Sequence, residues 1–163
     1  MTRLYGRAIG GKRLFDSTPY GHWCRTTVIS AIRIDGTTIS MSIEGSTDSD
    51  VFRTYISEML CKALHAGDIV IMDNLTSHKV SGIEESIKAV KAQLRYLPPY
   101  SPDLNPIEKM WSKIKATLRK LKARTEDTLF EALADALKSI TMSDAIGWFE
   151  SCGYMSTLKR ELL

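Results

Sequence analysis

Two carboxylates stand out by position. Asp73 closes the apolar run Asp68-Ile69-Val70-Ile71-Met72, and Glu108 opens a helical stretch just past Pro98-Pro99-Tyr100-Ser101-Pro102-Asp103-Leu104-Asn105-Pro106, with 34 residues between the two acids. An acid at the C-terminal end of a strand and another on a later helix can converge on one cleft, where carboxylates with no basic partner hold divalent metal. Each also has a plainer reading. Asp73 suits a turn or helix cap after a strand, and Glu108 suits the N3 place of a capping box behind Asn105.

Their neighbours divide in the same way. Asn74 either orients Asp73, donates to a phosphate oxygen, or closes an Asx-turn; His78 either meets metal, substrate or DNA backbone, or is a half-exposed loop histidine. Lys109, Lys113, Lys115, Arg119, Lys120, Lys122 and Arg124 make seven cations in the 16 positions from 109 to 124, with no acid among them. Such a helix repels itself unless a polyanion is near, although a solvated lysine-rich face is the commoner case, and Lys109, Lys113, Lys115, Arg119 and Lys120 are the phosphate-contact candidates. Trp111 belongs to an apolar stripe and reads as core before it reads as a base-stacking platform. Three scattered histidines and unclustered cysteines do not make a zinc ligand set. No G-x-S-x-G elbow, P-loop or glycine-rich dinucleotide turn is present.

The elements that must position these side chains follow from periodicity. Residues 1–22 are polar, with turns at Gly10-Gly11 and Pro19-Tyr20-Gly21, and read as a connection. Trp23 to Arg33 is rich in β-branched residues, Asp35-Gly36 supplies left-handed turn positions, and Thr37 to Ile43 completes a hairpin. Thr47 caps a helix carrying Phe52, Tyr55, Ile56, Met59, Leu60 and Ala63, which Gly67 ends. A buried strand at 69–73, a helix at 81–90 and a strand at 93–97 suit a parallel right-handed crossover. Pro98, Pro99 and Pro102 stiffen the loop before Glu108, either to fix that acid or simply as a rigid connector. Asn105 caps a helix to about Arg124 whose stripe is Ile107, Trp111, Ile114, Leu118 and Leu121, and helices at about 126–140 and 144–152 follow.

The chain of 163 residues, 44% hydrophobic and 25% charged, fits one α/β domain with its own core. Its formal charge of +3 is too small to imply nucleic acid without the local clustering just described. Cys24, Cys61 and Cys152 lack metal-ligand spacing and read as reduced core thiols of a cytosolic protein. No apolar run approaches the roughly 20 residues of a bilayer span and no signal peptide is evident, so a soluble, cytoplasmic protein without a membrane partner is expected.

Taken together, Met72-Asp73-Asn74-Leu75-Thr76-Ser77-His78-Lys79 and Leu94-Arg95-Tyr96-Leu97-Pro98-Pro99-Tyr100-Ser101-Pro102-Asp103-Leu104-Asn105-Pro106-Ile107-Glu108 resemble the DDE transposases of bacterial insertion sequences in the mariner-like superfamily. Leu4-Tyr5-Gly6-Arg7-Ala8, Gly21-His22-Trp23 and Gly153-Tyr154 extend the resemblance over nearly the whole chain. It implies a ribonuclease H-like fold, a mixed sheet with flanking helices, and a catalytic triad whose second Asp and Glu fall on Asp73 and Glu108. It also implies two Mg²⁺ or Mn²⁺ ions, transposon-end and target DNA as partners, and a homodimer in a synaptic complex. Cutting and joining would proceed by an in-line displacement clamped between two metals. Asn74 and His78 are supporting positions in that reading.

The resemblance departs at one place. The family's first triad Asp belongs on a strand upstream of Leu4, and neither Asp16 in the connection nor Asp35 in the hairpin turn replaces it. The expectation is a single domain over residues 1–163, truncated at its N-terminus, lacking the first, central strand and the helix-turn-helix that reads transposon ends, and inactive alone. Without that strand the sheet has unpaired edges that invite aggregation or pairing with another chain. Completion by frameshifting and a decayed remnant both fit. The alternatives are a noncatalytic DNA-binding or regulatory fragment of a transposase, and a ribonuclease H or resolvase relative acting on another nucleic acid.

Overall fold

The computed structural model describes residues 7–13, 15, 25–123 and 125–154. The expected features at Leu4-Tyr5-Gly6, Asp16, Pro19-Tyr20-Gly21, His22-Trp23, Cys24 and Arg124 lie outside the described residues.

The hairpin pairs β1 (Thr26–Ile32) with β2 (Thr38–Glu44) in antiparallel register, Thr26 opposite Glu44 and Ile32 opposite Thr38. Its turn needs one left-handed residue, not the expected two: Gly36 has φ 89°, while the Asp35 carboxylate accepts from Thr37 N at 2.8 Å. Gly36 is required on a second ground, because a Cβ there would stand 2.9 Å from the backbone N of Met142.

Helix α1 (Ser49–Tyr55) continues through a π turn (Ile56–Leu60) into the short α2 (Cys61–Ala63). Its cap is Asp48 and not Thr47: one carboxylate oxygen accepts from both Asp50 N and Val51 N, a stronger acceptor for two orphan donors than a hydroxyl. The helix ends at Ala63, ahead of Gly67, since Leu64 already turns extended. Gly67 instead serves the next turn, where its N–H donates to Lys91 O.

Strand β3 (Ile69–Met72), helix α3 (Ile83–Ala89) and strand β4 (Gln93–Tyr96) form the expected crossover, with β3 and β4 parallel. The two strand pairs do not join: the described strands make two separate two-stranded sheets. This overturns the expected burial of β3, for Ile69 is 59% exposed and only Met72 is buried. A strand that reads Ile-Val-Ile-Met is suited to neighbours on both edges, and β3 has one.

Helices α4 (Pro106–Leu121), α5 (Glu126–Lys138) and α6 (Met142–Ser151) complete the chain. Thr125 and Thr141 form capping boxes with Thr128 and Asp144, which places the start of α6 two residues ahead of the expected Asp144. Helix α4 stops at Leu121, before the expected Arg124, with Lys122 left-handed at φ 52°.

Side-chain alternation along β1 explains how helices cover both faces of the hairpin. Ile29 and Ala31, with Ile39 and Met41 of β2, pack on a core of Phe52, Tyr55, Ile56, Leu60, Ile83 and Ile87. Val28 and Ile32 face the opposite core, built from Met110, Ile114, Leu133, Ala136 and Ile140 of α4 and α5. Met110, fully buried, replaces the expected Leu121, which is 50% exposed beside the helix end. The buried Tyr55 hydroxyl donates to Ile39 O at 2.8 Å, and burial pushes its pKa up. Cys61 and Cys152 are free thiols, half-buried and buried, and burial raises the pKa of Cys61. No helix among the described residues is long and apolar enough to cross a membrane.

Candidate active site

Asp73 is the first residue past β3, and its position follows from the end of the β3–β4 ladder, where Leu97 N donates to Met72 O at 2.8 Å. Freed from the ladder, the chain turns at once. Asp73 Oδ1 accepts from Leu75 N at 3.3 Å, so the Asx-turn belongs to Asp73 and not to Asn74. Asn74 Oδ1 is buried and has no hydrogen-bond partner.

His78 comes back onto Asp73 through the 3-10 turn Thr76–His78. Its Nδ1 lies 2.5 Å from Asp73 Oδ1, close in distance but not aligned as a hydrogen bond. The ring is held by stacking on Phe52, centroids 4.8 Å apart and planes 18° apart, while Tyr96 donates its hydroxyl to His78 O at 3.1 Å. Phe52 was legible as a core residue of α1; its second service, fixing the imidazole beside the acid, has no signature in helical spacing.

Glu108 sits in the first turn of α4, exposed, and its carboxylate makes no hydrogen bond or ion pair to any described residue. The capping box proposed for it is not formed, since Asn105 provides no side-chain cap and Glu108 N reaches only Asn105 O at 3.2 Å. What places Glu108 is the route into the helix. The loop carries three prolines and a left-handed, fully exposed Tyr100 at φ 57°, and the turn Pro102–Leu104 is tied down by Tyr154, whose hydroxyl donates to Leu104 O at 2.7 Å. Tyr154, in the Gly153-Tyr154 pair of the resemblance, thus has a mechanical role in the structure.

Helix α4 is fixed further along by Lys113. Its ammonium reaches Asp144 Oδ2 at 2.5 Å and Ser139 O at 2.9 Å, locking α4 onto α5 and α6. The Lys113 bond, then those from Thr141, hold the Asp144 carboxyl down at about 2. Among the other cations of this helix, Lys109, Lys115, Arg119 and Lys120 make no ion pair to a described residue. At about 100° per residue, Lys115 and Arg119 fall on the stripe that begins at Glu108, whereas Lys109, Lys113 and Lys120 share a neighbouring one.

Asp73 and Glu108 line one cavity of about 580 Å³, which also receives His78, Thr47 and Trp111. Trp111 is half-buried and packed on the Met110–Ile114 cluster, in keeping with a core role, with one part facing this space. No group of three or more potential metal-ligating side chains occurs among the described residues. Carboxylate oxygens suit a hard divalent cation, but Asp73 and Glu108 supply only part of such a ligand set.

The chain belongs to the DDE superfamily endonucleases, whose sequence profile matches residues 1–130. It is 29% identical over 94 residues to the transposable element Tc1 transposase of Caenorhabditis elegans, covering 58% of this chain and 34% of that protein. It is 34% identical over 71 residues to the Tcb2 and Tcb1 transposases of Caenorhabditis briggsae, covering 44% of this chain and 26% of each. The chain thus spans about a third or less of the length of these relatives.

Proposed function

We propose that this chain is the catalytic core of a transposase that cuts and joins DNA at transposon ends by metal-dependent phosphoryl transfer. The observation that carries the reading is that Asp73, beside His78, and Glu108, which has no ion pair to a described residue, line one cavity in a chain of the DDE endonuclease family. Asp73 and Glu108 are the metal ligands of this reading, with Mg²⁺ or Mn²⁺ as the ions. Bound there, divalent metal supplies a lowered pKa to the attacking hydroxyl or water and neutralises charge on the leaving oxygen.

The remaining residues position and bind. His78, braced by Phe52, holds Asp73 in place; Asn74 offers an amide to a phosphate or to the Asp73 carboxylate. Lys115 and Arg119 continue from Glu108 along α4 as a phosphate track, with Lys109 and Lys120 beside them. Lys113 spends its charge on Asp144, so its contribution to DNA binding is to hold the helix in place. The third carboxylate of a complete site comes from outside the described residues, and the chain alone is inactive in this reading. Its family form is a ribonuclease H-like mixed sheet, acting on transposon-end and target DNA as a homodimer in a synaptic complex. Origin in a bacterial insertion sequence and cytoplasmic action on the nucleoid belong to this reading only through the resemblance of the Asp73 to Glu108 motifs; the relatives reported above are nematode elements.

Iron-directed cleavage tests the ligand assignment. Fe²⁺ with ascorbate cuts a polypeptide beside the groups that hold it, so fragments ending near 73 and 108, suppressed by excess Mg²⁺ and lost in Asp73→Ala with Glu108→Ala, are expected. Cutting elsewhere, or unchanged in the double variant, would remove both residues from the metal site. A second reading, a noncatalytic DNA-binding or regulatory fragment, is favoured by the missing third ligand among the described residues. It expects salt-dependent DNA binding that is indifferent to Asp73→Ala and Glu108→Ala.

A further inference from the structure

Three residues other than glycine take a left-handed backbone among the described residues: Lys91 at φ 62°, Tyr100 at φ 57° and Lys122 at φ 52°. Two of them stop a helix. Lys122 caps the C-terminal end of α4, its N–H bonded to Leu118 O, and Lys91 follows α3 with its N–H on Lys88 O. Tyr100 ends no helix. It takes the second place of the Pro99-Tyr100 turn, where a positive φ calls for glycine or asparagine and a ring-bearing residue is strained.

The Tyr100 side chain returns nothing to the fold for that strain. Its exposure is complete, at 102%, so the ring joins no core, and its hydroxyl has no hydrogen bond to a described residue. The loop around it is nonetheless stiff. Pro98, Pro99 and Pro102 fix three φ angles, Leu97 N is bonded to Met72 O at one end, and Tyr154 holds Leu104 O at the other. Within the turn, Ser101 Oγ donates to Pro99 O at 3.3 Å. A flat aromatic surface is thus offered to solvent from a braced loop. That loop joins the end of the β3–β4 ladder, beside Asp73, to the first turn of α4 at Glu108, and the ring itself stands outside the cavity that these two acids line.

We propose that Tyr100 is a stacking platform for one unpaired base of a DNA strand, held beside the strand whose phosphate enters the Asp73–Glu108 cavity. The inference rests on the reading of this chain as a DNA-cutting core. Size selects the partner. One exposed ring matches one base, whereas a protein interface needs roughly 800 Å² from each side, and the exposed neighbours of Tyr100 in the loop are Pro98, Pro99, Pro102 and Asp103. Charge points the same way, because the loop leads directly into α4, where Lys109, Lys115, Arg119 and Lys120 make no ion pair to a described residue. Bases inside a duplex are covered on both faces by their neighbours, so the platform takes a base that has left the stack. Because the loop is already braced, stacking orders little that was free before.

DNA binding by the full chain, without divalent metal and at one fixed salt concentration, provides the test. The probes are a short single strand of deoxyadenosines and a base-less strand of the same length and charge, so that phosphate contacts cancel in the comparison. The parent chain is expected to prefer the strand with bases by about 5- to 150-fold, the equivalent of about 1–3 kcal/mol for a stacked base. Tyr100→Gly is expected to lose that preference, and Tyr100→Trp to keep it. Glycine adopts a φ of 57° freely, so the thermal unfolding midpoint of Tyr100→Gly is expected to equal or exceed that of the parent. A preference that survives in Tyr100→Gly, its absence from the parent, or a lowered midpoint in Tyr100→Gly would each overturn the proposal. So would a dimer of the free chain that Tyr100→Gly dissociates in sedimentation, which would put the ring on protein. Iron-directed cutting near Asp73 and Glu108 is expected to be unchanged in Tyr100→Gly, so failure of the stacking test would leave the metal-ligand reading standing, and failure of that reading would show in the cutting pattern instead.

Discussion

Asp144→Asn tests how α4, and with it Glu108, is held in place. Asp144 takes a charge-assisted bond from Lys113 and two bonds from Thr141, which together bring its carboxyl from an ordinary 3.8 to about 2. At roughly 1.4 kcal/mol per unit, a shift of that size corresponds to at most about 2.5 kcal/mol. Both side chains retain solvent, 27% exposed for Asp144 and 33% for Lys113, so screening reduces the electrostatic share to about 1 kcal/mol. The asparagine keeps an acceptor for Thr141, so the loss is mainly that of the charge. The folded pKa lies below the unfolded one, so the contribution is complete above about pH 4 and fades as pH falls toward 2. Urea unfolding of the parent chain, Asp144→Asn, Lys113→Met and the double variant is therefore expected to show a coupling of about 1 kcal/mol at pH 7 that vanishes near pH 2. A coupling below about 0.2 kcal/mol at pH 7, or one unchanged at pH 2, would refute the assignment of this pair as the clamp on α4.

Other expectations follow from single observations. Gly36→Ala meets both a left-handed φ of 89° and the Met142 backbone 2.9 Å away, and calorimetry is expected to show a loss of about 1–3 kcal/mol; a neutral substitution would mean that the hairpin tip does not rest on α6. Met110→Ala empties a fully buried site and is expected to cost about 2–5 kcal/mol in urea unfolding, where Leu121→Ala at the exposed helix end costs less than about 0.5. Lys115→Ala and Arg119→Ala are each expected to weaken DNA binding and reduce the slope of log affinity against log salt by about 1, whereas Lys113→Ala acts mainly through stability. Equal slopes for all three would place no phosphate on the Glu108 stripe.

Much of this fold was legible because its signals are local. Alternation and β-branching marked the hairpin, the Ile-Val-Ile-Met run marked β3, and helical spacing marked α1 and α4 to within a turn. Boundaries failed where two capping residues competed: Asp48 outbid Thr47, and Thr141 started α6 ahead of Asp144. Asp73 and Glu108 stood out in the sequence and line one cavity, but Phe52 under His78, Tyr154 on Leu104 and Lys113 on Asp144 are contacts between residues 26, 50 and 31 positions apart, which no short pattern announces. The half-exposed state of β3 was hidden for a related reason: composition states how buried a strand is suited to be, and pairing decides how buried it is.

The central claim is that Asp73 and Glu108 are two of the carboxylates of a metal-dependent DNA-cutting site that is completed from outside the described residues. The measurement that meets it most directly is nicking of transposon-end DNA in Mg²⁺ or Mn²⁺, with the chain alone beside the chain joined to an upstream segment carrying the family's first Asp strand. Cutting by the joined protein only is expected, and its loss with Asp73→Ala or with Glu108→Ala. Cutting by the joined protein that survives both substitutions would contradict it.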